Sequence, residues 1–161
     1  MSKGFTIIEV IVAMFILTTG ILGTFSFISH YNEYSSLSVM RFTAAYLAQE
    51  GIEIVKNIRD GNYLEGNLID DWNQGFDTVG NREADYTSTT SLSAYSGNVL
   101  NIDNNGFYSY NAGTASPFVR KIQIVSSNTT STYISCQVTW TEKGRTHQVS
   151  TEEEIYSWGW Q

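Results

Sequence analysis

The sequence predicts an α+β fold in which one long N-terminal helix lays its second half against a C-terminal antiparallel sheet. Three observations carry that expectation. An apolar stretch opens at Phe5 and runs to Ile28, residues 34–58 keep a helical apolar period, and the runs after Val99 alternate apolar and polar side chains as strands do.

The apolar stretch comes first. From Val10 to Ile28 nineteen residues pass without a formal charge, and the polar ones among them include the small hydroxyls of Thr18, Thr19, Thr24 and Ser26. At 1.5 Å of rise per residue, about 20 residues of helix cross the hydrocarbon of a bilayer. A removable signal peptide needs a basic region, a short apolar core and small residues at its exit. Here the basic region is Lys3 alone, and the core runs into Phe25, Phe27 and Ile28 and then His30-Tyr31-Asn32-Glu33 without an Ala-x-Ala exit. The segment therefore reads as an anchor. With Lys3 before it and an acidic body after it, Met1 is expected in the cytoplasm and the C-terminus outside.

Glu9 is the one ionisable residue inside that stretch. A carboxylate at the edge of hydrocarbon is costly and marks function by default. It must bind a proton or find a cation, because an unpaired buried charge costs several kcal/mol or more. Were the chain cut after Gly4, the new amine on Phe5 would be a cation four residues away. Two helices staggered along their axes then bring Glu9 of one beside the Phe5 amine of the next. Methylating that amine once leaves it able to hold a proton. Gly4, without a side chain, permits the close approach a peptidase needs at the cut.

The run Gly4-Phe5-Thr6-Ile7-Ile8-Glu9-Val10-Ile11-Val12-Ala13 resembles the leader and cleavage motif of the type IV pilins and of the pseudopilins of type II secretion systems. The resemblance implies a pilin-like fold, cleavage after Gly4 by a membrane prepilin peptidase, N-methylation of Phe5 by the same enzyme, and an assembly role for Phe5 and Glu9. It also implies other pilin subunits and an inner-membrane assembly platform as partners. Many members carry a proline near the position of Ser26; this chain does not, its single proline being Pro117. Looser matches, Ala45-Tyr46-Leu47-Ala48-Gln49-Glu50-Gly51-Ile52-Glu53, Ile58-Arg59-Asp60 and Pro117-Phe118-Val119-Arg120-Lys121-Ile122, are similar to minor pilins related to pilus-assembly subunit V. The helical part is also similar to the smaller minor pseudopilins.

Beyond the membrane segment, Leu37, Ala44, Gly51 and Ile58 recur every seven residues, with Met40, Leu47 and Ile54 between them. That stripe needs a cover, because such helices are held by burial more than by propensity. A sheet in the same chain is the expected cover, with a coiled coil as the alternative. Arg59-Asp60-Gly61-Asn62 reads as the end of the helix. The expected organisation is thus a leader over 1–4, a membrane-spanning half over 5–28, an amphipathic continuation over 29–60, and a head over 61–161.

In the head, residues 60–98 carry no clear period and read as an excursion anchored by Trp72, Phe76, Tyr86 and Tyr95. Val99–Ile102 and Phe107–Tyr110 flank the turn Asp103-Asn104-Asn105-Gly106. A strand over Phe118–Val125 sets Phe118, Ile122 and Ile124 on one face, interrupted by Arg120. Tyr133–Trp140 alternates strictly, with Ile134, Cys136, Val138 and Trp140 together, and Glu142-Lys143-Gly144-Arg145 turns into Thr146–Ser150. These strands are expected to form one antiparallel meander with a dry face toward the helical stripe.

Composition narrows the function. Sixteen acidic against nine basic residues give a formal charge of −7, which leaves no basic stripe for a phosphate backbone and disfavours nucleic acid as a partner; the local patch to watch is Arg120, Lys121 and Arg145. Neither a nucleophile elbow nor a phosphate-binding glycine loop is present, and His30 and His147 lie far apart, so no enzyme, cofactor or metal is expected. Asp103 and Asn105 offer oxygen ligands for calcium, although a plain hairpin turn explains them as well. Asp70-Asp71 and Glu152-Glu153-Glu154 read as solvated surface or helix-start carboxylates rather than an acid/base pair, and Tyr156, Trp158 and Trp160 as core or sheet-edge packing, with a contact patch as the alternative if they are exposed. Cys136, the single cysteine, is expected as a buried free thiol. The expected function is that of a structural subunit, of minor-pilin type, in a type IV pilus-like filament reached from the inner membrane. The alternatives are a minor pseudopilin of a secretion system and a membrane-tethered module that grips a surface.

Overall fold

The computed structural model describes residue 4 and residues 6–66 and 71–157, the side chains of residues 29, 30, 32 and 33 excepted. Phe5, Lys3, Asp70, Trp158 and Trp160 lie outside the described residues, as does the side chain of His30. The chain forms two compact units, Met1–Met40 and Arg41–Gln161. One helix, α1 (Ile7–Leu64), contributes to both.

The first unit contains the membrane-length part of α1. Ile7–Ile28 is 22 residues long and none of it is buried. The hydroxyls of Thr18, Thr19 and Thr24 each donate to the backbone carbonyl four residues earlier, those of Met14, Phe15 (2.8 Å) and Gly20 (2.9 Å). Their polarity is therefore turned inward onto the helix, which is what a lipid-facing helix requires.

The second unit is an α+β head. Its main sheet is built from β1 (Gly80–Glu83), β2 (Ser93–Ala94), β6 (Val119–Ser127), β7 (Ser131–Glu142) and β8 (Arg145–Tyr156), in the order β2-β1-β6-β7-β8 with antiparallel neighbours. A smaller antiparallel sheet has the order β4-β3-β5, from β3 (Asn101–Ile102), β4 (Tyr108–Ser109) and β5 (Thr114–Ala115). Alternation decides which face is dry. Ile122 and Ile124 of β6, and Ile134, Cys136, Val138 and Trp140 of β7, are buried together with Ala44, Leu47, Ala48, Ile52, Ile54, Val55 and Ile58 of the helix. Gly51 is where the helix comes closest to the sheet: a Cβ there would stand 2.4 Å from Cys136 Sγ and 3.2 Å from Arg120 Cδ. Leu37 and Met40, the first members of the stripe, are half-buried. The buried helical face is also wider than a seven-residue repeat, since Ala48, Ile52 and Val55 join it.

Three expectations about elements need correction. The helix does not stop at Arg59 but runs through Gly61 and Asn62 to Leu64. Asn62 is buried, and its amide donates to the carbonyls of Trp72 (3.0 Å) and Gln74 (2.9 Å), so it serves a tertiary contact rather than a cap. The left-handed glycine that follows the helix is Gly66, with φ +92°. Second, the Asp103–Gly106 hairpin does not extend the main meander. It belongs to the small sheet, tied back where Leu100 N–H donates to Phe118 O (2.8 Å) and Ser116 N–H to Leu100 O (3.0 Å). Third, Glu152, Glu153 and Glu154 sit inside β8 and not at a helix start, with Glu152 and Glu154 solvated as expected. Glu153 accepts an ion pair from Lys56 of the helix at 2.8 Å.

The excursion over 60–98 supplies β1 and β2, and β1 is the neighbour of β6. Its aromatics divide: Trp72 and Phe76 are buried against each other edge to face, while Tyr86 is exposed. Trp72 also donates from Nε1 to Thr129 O at 2.9 Å, pinning the connection to the turn between β6 and β7. The β7–β8 turn has Lys143 at φ 49° and Gly144 at φ 76°, the left-handed pair that a two-residue hairpin demands.

Candidate functional site: the N-terminal motif and its helix

Thr6 precedes the first helical residue and Glu9 stands in the first turn. Glu9 N–H donates to Thr6 Oγ1 at 3.4 Å, and Thr6 N–H reaches Glu9 Oε2 at 3.5 Å. This is the reciprocal arrangement of a capping box, at lengths that leave the carboxylate weakly held. Glu9 is exposed, as is Gly4, and a Cβ on Gly4 would meet nothing within 4 Å. An acidic group here also suits the positive end of the helix dipole. The motif is thus an accessible glycine, a helix that starts three residues after it at Ile7, and a carboxylate with spare bonding capacity in the first turn.

Residues 1–25 match the model of the prokaryotic N-terminal methylation motif. The chain is type IV pilin-like. The methylation motif and the apolar helix together support a subunit of pilin or pseudopilin type, anchored in a membrane and processed by a prepilin peptidase. Comparison with curated proteins and with solved structures finds no match.

The surface of this pilin-like helix is shaped as well as apolar. Gly20 opens a shallow groove of about 480 Å³ lined by Ile16, Leu17, Ile21, Thr24, Phe25 and Ile28. Neither Gly20 nor Gly23 has a neighbour within 4 Å of an added Cβ. Small residues at such places let a second helix approach closely. In the head unit, Phe42 and Tyr46 are 68% and 70% exposed. At about 100° per residue they lie close to opposite the Leu47, Gly51 and Ile58 face that meets the sheet. On their side of the helix the polar Gln49 and Glu53 follow, both exposed.

Of the predicted helical stripe, Ala44, Leu47, Gly51, Ile54 and Ile58 are buried in the head unit, and Leu37 and Met40, in the first unit, are half-buried. Arg120 is the residue whose role sequence reasoning missed. It is 0% exposed, donates from Nη1 to the helical carbonyl of Leu47 at 3.1 Å and from Nη2 to Ala84 O, and pairs with Glu50 at 3.4 Å. One guanidinium therefore ties the helix, β6 and the end of β1 together. The signal was its place on an otherwise apolar strand face. Being enclosed, it takes no part in a basic surface patch with Lys121 and Arg145.

Among the described residues no group of three or more His, Cys, Asp or Glu side chains converges as a metal site. The Asp103 carboxylate is engaged by Tyr86 Oη (2.7 Å), Asn105 N–H (2.8 Å) and Phe107 N–H (3.0 Å). The Tyr86 hydrogen bond, followed by those from the turn backbone, holds its pKa below the ordinary value. Burial acts to raise the Asp85 pKa. The Thr87 hydroxyl, the Tyr110 and Thr87 N–H groups and the Arg120 charge outweigh it, and the carboxyl sits below its usual range. Burial pushes the Cys136 thiol up to about 12, consistent with an inert core group. His147 is half-buried and stacks on Trp140 with ring centroids 5.4 Å apart. Tyr156 is 55% exposed rather than packed, and its hydroxyl donates to Glu154 at 2.6 Å.

Proposed function

We propose that the protein is a minor structural subunit of a type IV pilus-like filament, trimmed after Gly4, N-methylated on Phe5 and assembled through its apolar N-terminal helix. In this reading residues 1–4 are the leader, 5–28 the span, 29–60 the amphipathic continuation and 61–161 the head, which faces outward from the inner membrane. The observation that carries it is the methylation motif opening directly into a 22-residue apolar helix of which nothing is buried within the chain. Such a surface needs lipid before assembly and sister helices after it. The Gly20 groove and the outward pair Phe42 and Tyr46 are surfaces of the kind a neighbouring subunit covers.

Glu9 is the register element of this proposal. Its loose contact with Thr6 leaves it free to take the cationic amine that cleavage creates on Phe5 of an adjacent subunit. Inside a bundle of apolar helices an ion pair is worth far more than in water, and a mismatched register leaves the carboxylate unpaired. Filament growth requires a heterologous contact that does not close.

N-terminal mass analysis of the protein isolated from its own cells tests the reading. A chain beginning at methylated Phe5 is the expected result, with the protein present in sheared filaments. An intact Met1 terminus together with absence from filaments would instead favour a tethered binding module. In processed chains, Glu9→Gln is expected to abolish incorporation into filaments; unchanged yield overturns the ion-pair role. Recovery with a secretion apparatus rather than with surface filaments would assign the same chemistry to a minor pseudopilin.

A further inference from the structure

We propose that Asn128 is an acceptor for N-linked glycan on the exposed tip between β6 and β7. Of the asparagines in the chain, only Asn128 is followed two positions later by a serine or threonine, in Asn128-Thr129-Thr130. That pattern with a non-proline middle residue is the acceptor signature of N-glycosylation, and it functions only on exported surface loops. Asn128 is exposed and stands just after β6 ends at Ser127 and before β7 starts at Ser131.

The local geometry suits an acceptor. Asn128 Oδ1 takes the Thr130 hydroxyl at 2.9 Å and the N–H groups of Thr130 and Ser131 at 2.8 Å each. The hydroxyl that a transferring enzyme must read is therefore already beside the amide it must modify. Asn128 Nδ2, the reacting atom, has a 3.4 Å contact to Ser131 Oγ, too long to hold it. The backbone beneath is secured instead: Thr129 O accepts from Trp72 Nε1 and Thr130 O from Ser157 N–H, each at 2.9 Å. Asn128 is itself exposed, so a group added at its amide extends from the surface.

Position in the head points the same way. Trp72, which holds the tip, also accepts from Asn62 near the last turn of α1. The tip thus lies at the end of the head where the helix finishes, away from Phe42 and Tyr46 near the start of the head. Sugar there leaves Phe42 and Tyr46 uncovered.

The donor class is a sugar carried on a polyprenyl pyrophosphate. Its anomeric C–O bond breaks, the pyrophosphate leaves with the electron pair, a bond forms from Asn128 Nδ2 to the anomeric carbon, and Nδ2 loses one proton to a base on the transferase. The inference rests on the outward-facing head of the proposed function. Peptide mass mapping and N-terminal analysis of one sample, purified from the protein's own cells, distinguish the two. The expected result is sugar mass on the peptide holding Asn128, retained in Thr130→Ser and lost in both Thr130→Ala and Asn128→Gln. A bare Asn128 on a chain beginning at methylated Phe5 overturns the glycan while leaving the assembly reading intact. A bare Asn128 on an unprocessed chain overturns both, and sugar that persists in Thr130→Ala removes Asn128 from the role.

Discussion

Between Ile7 and Ile28 the helix carries apolar side chains with no cover inside the chain, whereas between Ala44 and Ile58 similar side chains are buried beneath strands. The apolar side chains of the two stretches differ little in type and wholly in what satisfies them. The second finds its partner in the same polypeptide, so its fitness is a matter of packing. The first is satisfied only by its surroundings, so its fitness is a matter of what else is present. Glycine makes the contrast concrete: Gly51 is pressed against Cys136 and Arg120, while Gly20 has open space around it.

The strongest way to break the comparison is to put a side chain on both glycines. Gly51→Val is expected to destabilise the head by about 3 kcal/mol, because the thiol and guanidinium it meets are themselves enclosed. Gly20→Ala is expected to leave the head's urea midpoint unchanged and to strengthen the local helix by up to about 1 kcal/mol. Equal effects at the two sites would erase the distinction. Next in size is Arg120→Met, expected to cost about 2 kcal/mol by urea unfolding of the full chain in detergent, because Ala84 O loses its donor and Glu50 its partner. An unchanged midpoint would mean that the buried cation does not join helix to sheet.

A smaller effect is expected at Asp85, whose carboxylate collects Thr87 and Tyr110. Asp85→Asn should cost about 1 kcal/mol at neutral pH. The folded pKa is depressed, so the wild-type contribution is present above the unfolded value of about 3.9 and is lost as the pH falls through the folded value. The variant's unfolding midpoint should accordingly vary less with pH below about 4. The smallest expected effect is none at all: Cys136 in the folded chain should resist iodoacetamide at mildly alkaline pH and react fully in urea, checked by mass. Labelling of the folded chain would mean that the helix lifts from β7.

The parts of the molecule legible from sequence are those with a sustained period. The membrane-length run, the 3-4 spacing through Ile58 and the strict alternation of Tyr133–Trp140 each repeat often enough to outweigh local exceptions. What was hidden lacks a period. β1 is a four-residue strand placed by pairing with the distant Ile122 and Ile124, and β2 a two-residue strand placed by pairing with β1. Arg120 could be seen to interrupt a face. Its acceptors on Leu47 and Ala84, 73 and 36 residues away, could not. The helix end was misplaced because Gly61-Asn62 has the chemistry of a stop, while burial of Asn62 under Trp72 and Gln74 overrides it. At the N-terminus the opposite holds: Gly4, Thr6 and Glu9 are close in sequence, so their relation is visible before any fold is known.

Among the described residues, the outermost strand of the main sheet, β8, leaves the backbone groups along one side of twelve residues without a neighbouring strand. If the chain assembles as proposed, subunits stored side by side in one bilayer could bring two such borders together in parallel. In-register zipping would then stack Glu152 on Glu152 and Glu154 on Glu154, and both are exposed. Like charges brought together along a ladder oppose it. In the proposed assembly, the acidic end of the strand would discourage premature clumping of stored subunits and leave polymerisation to the stem.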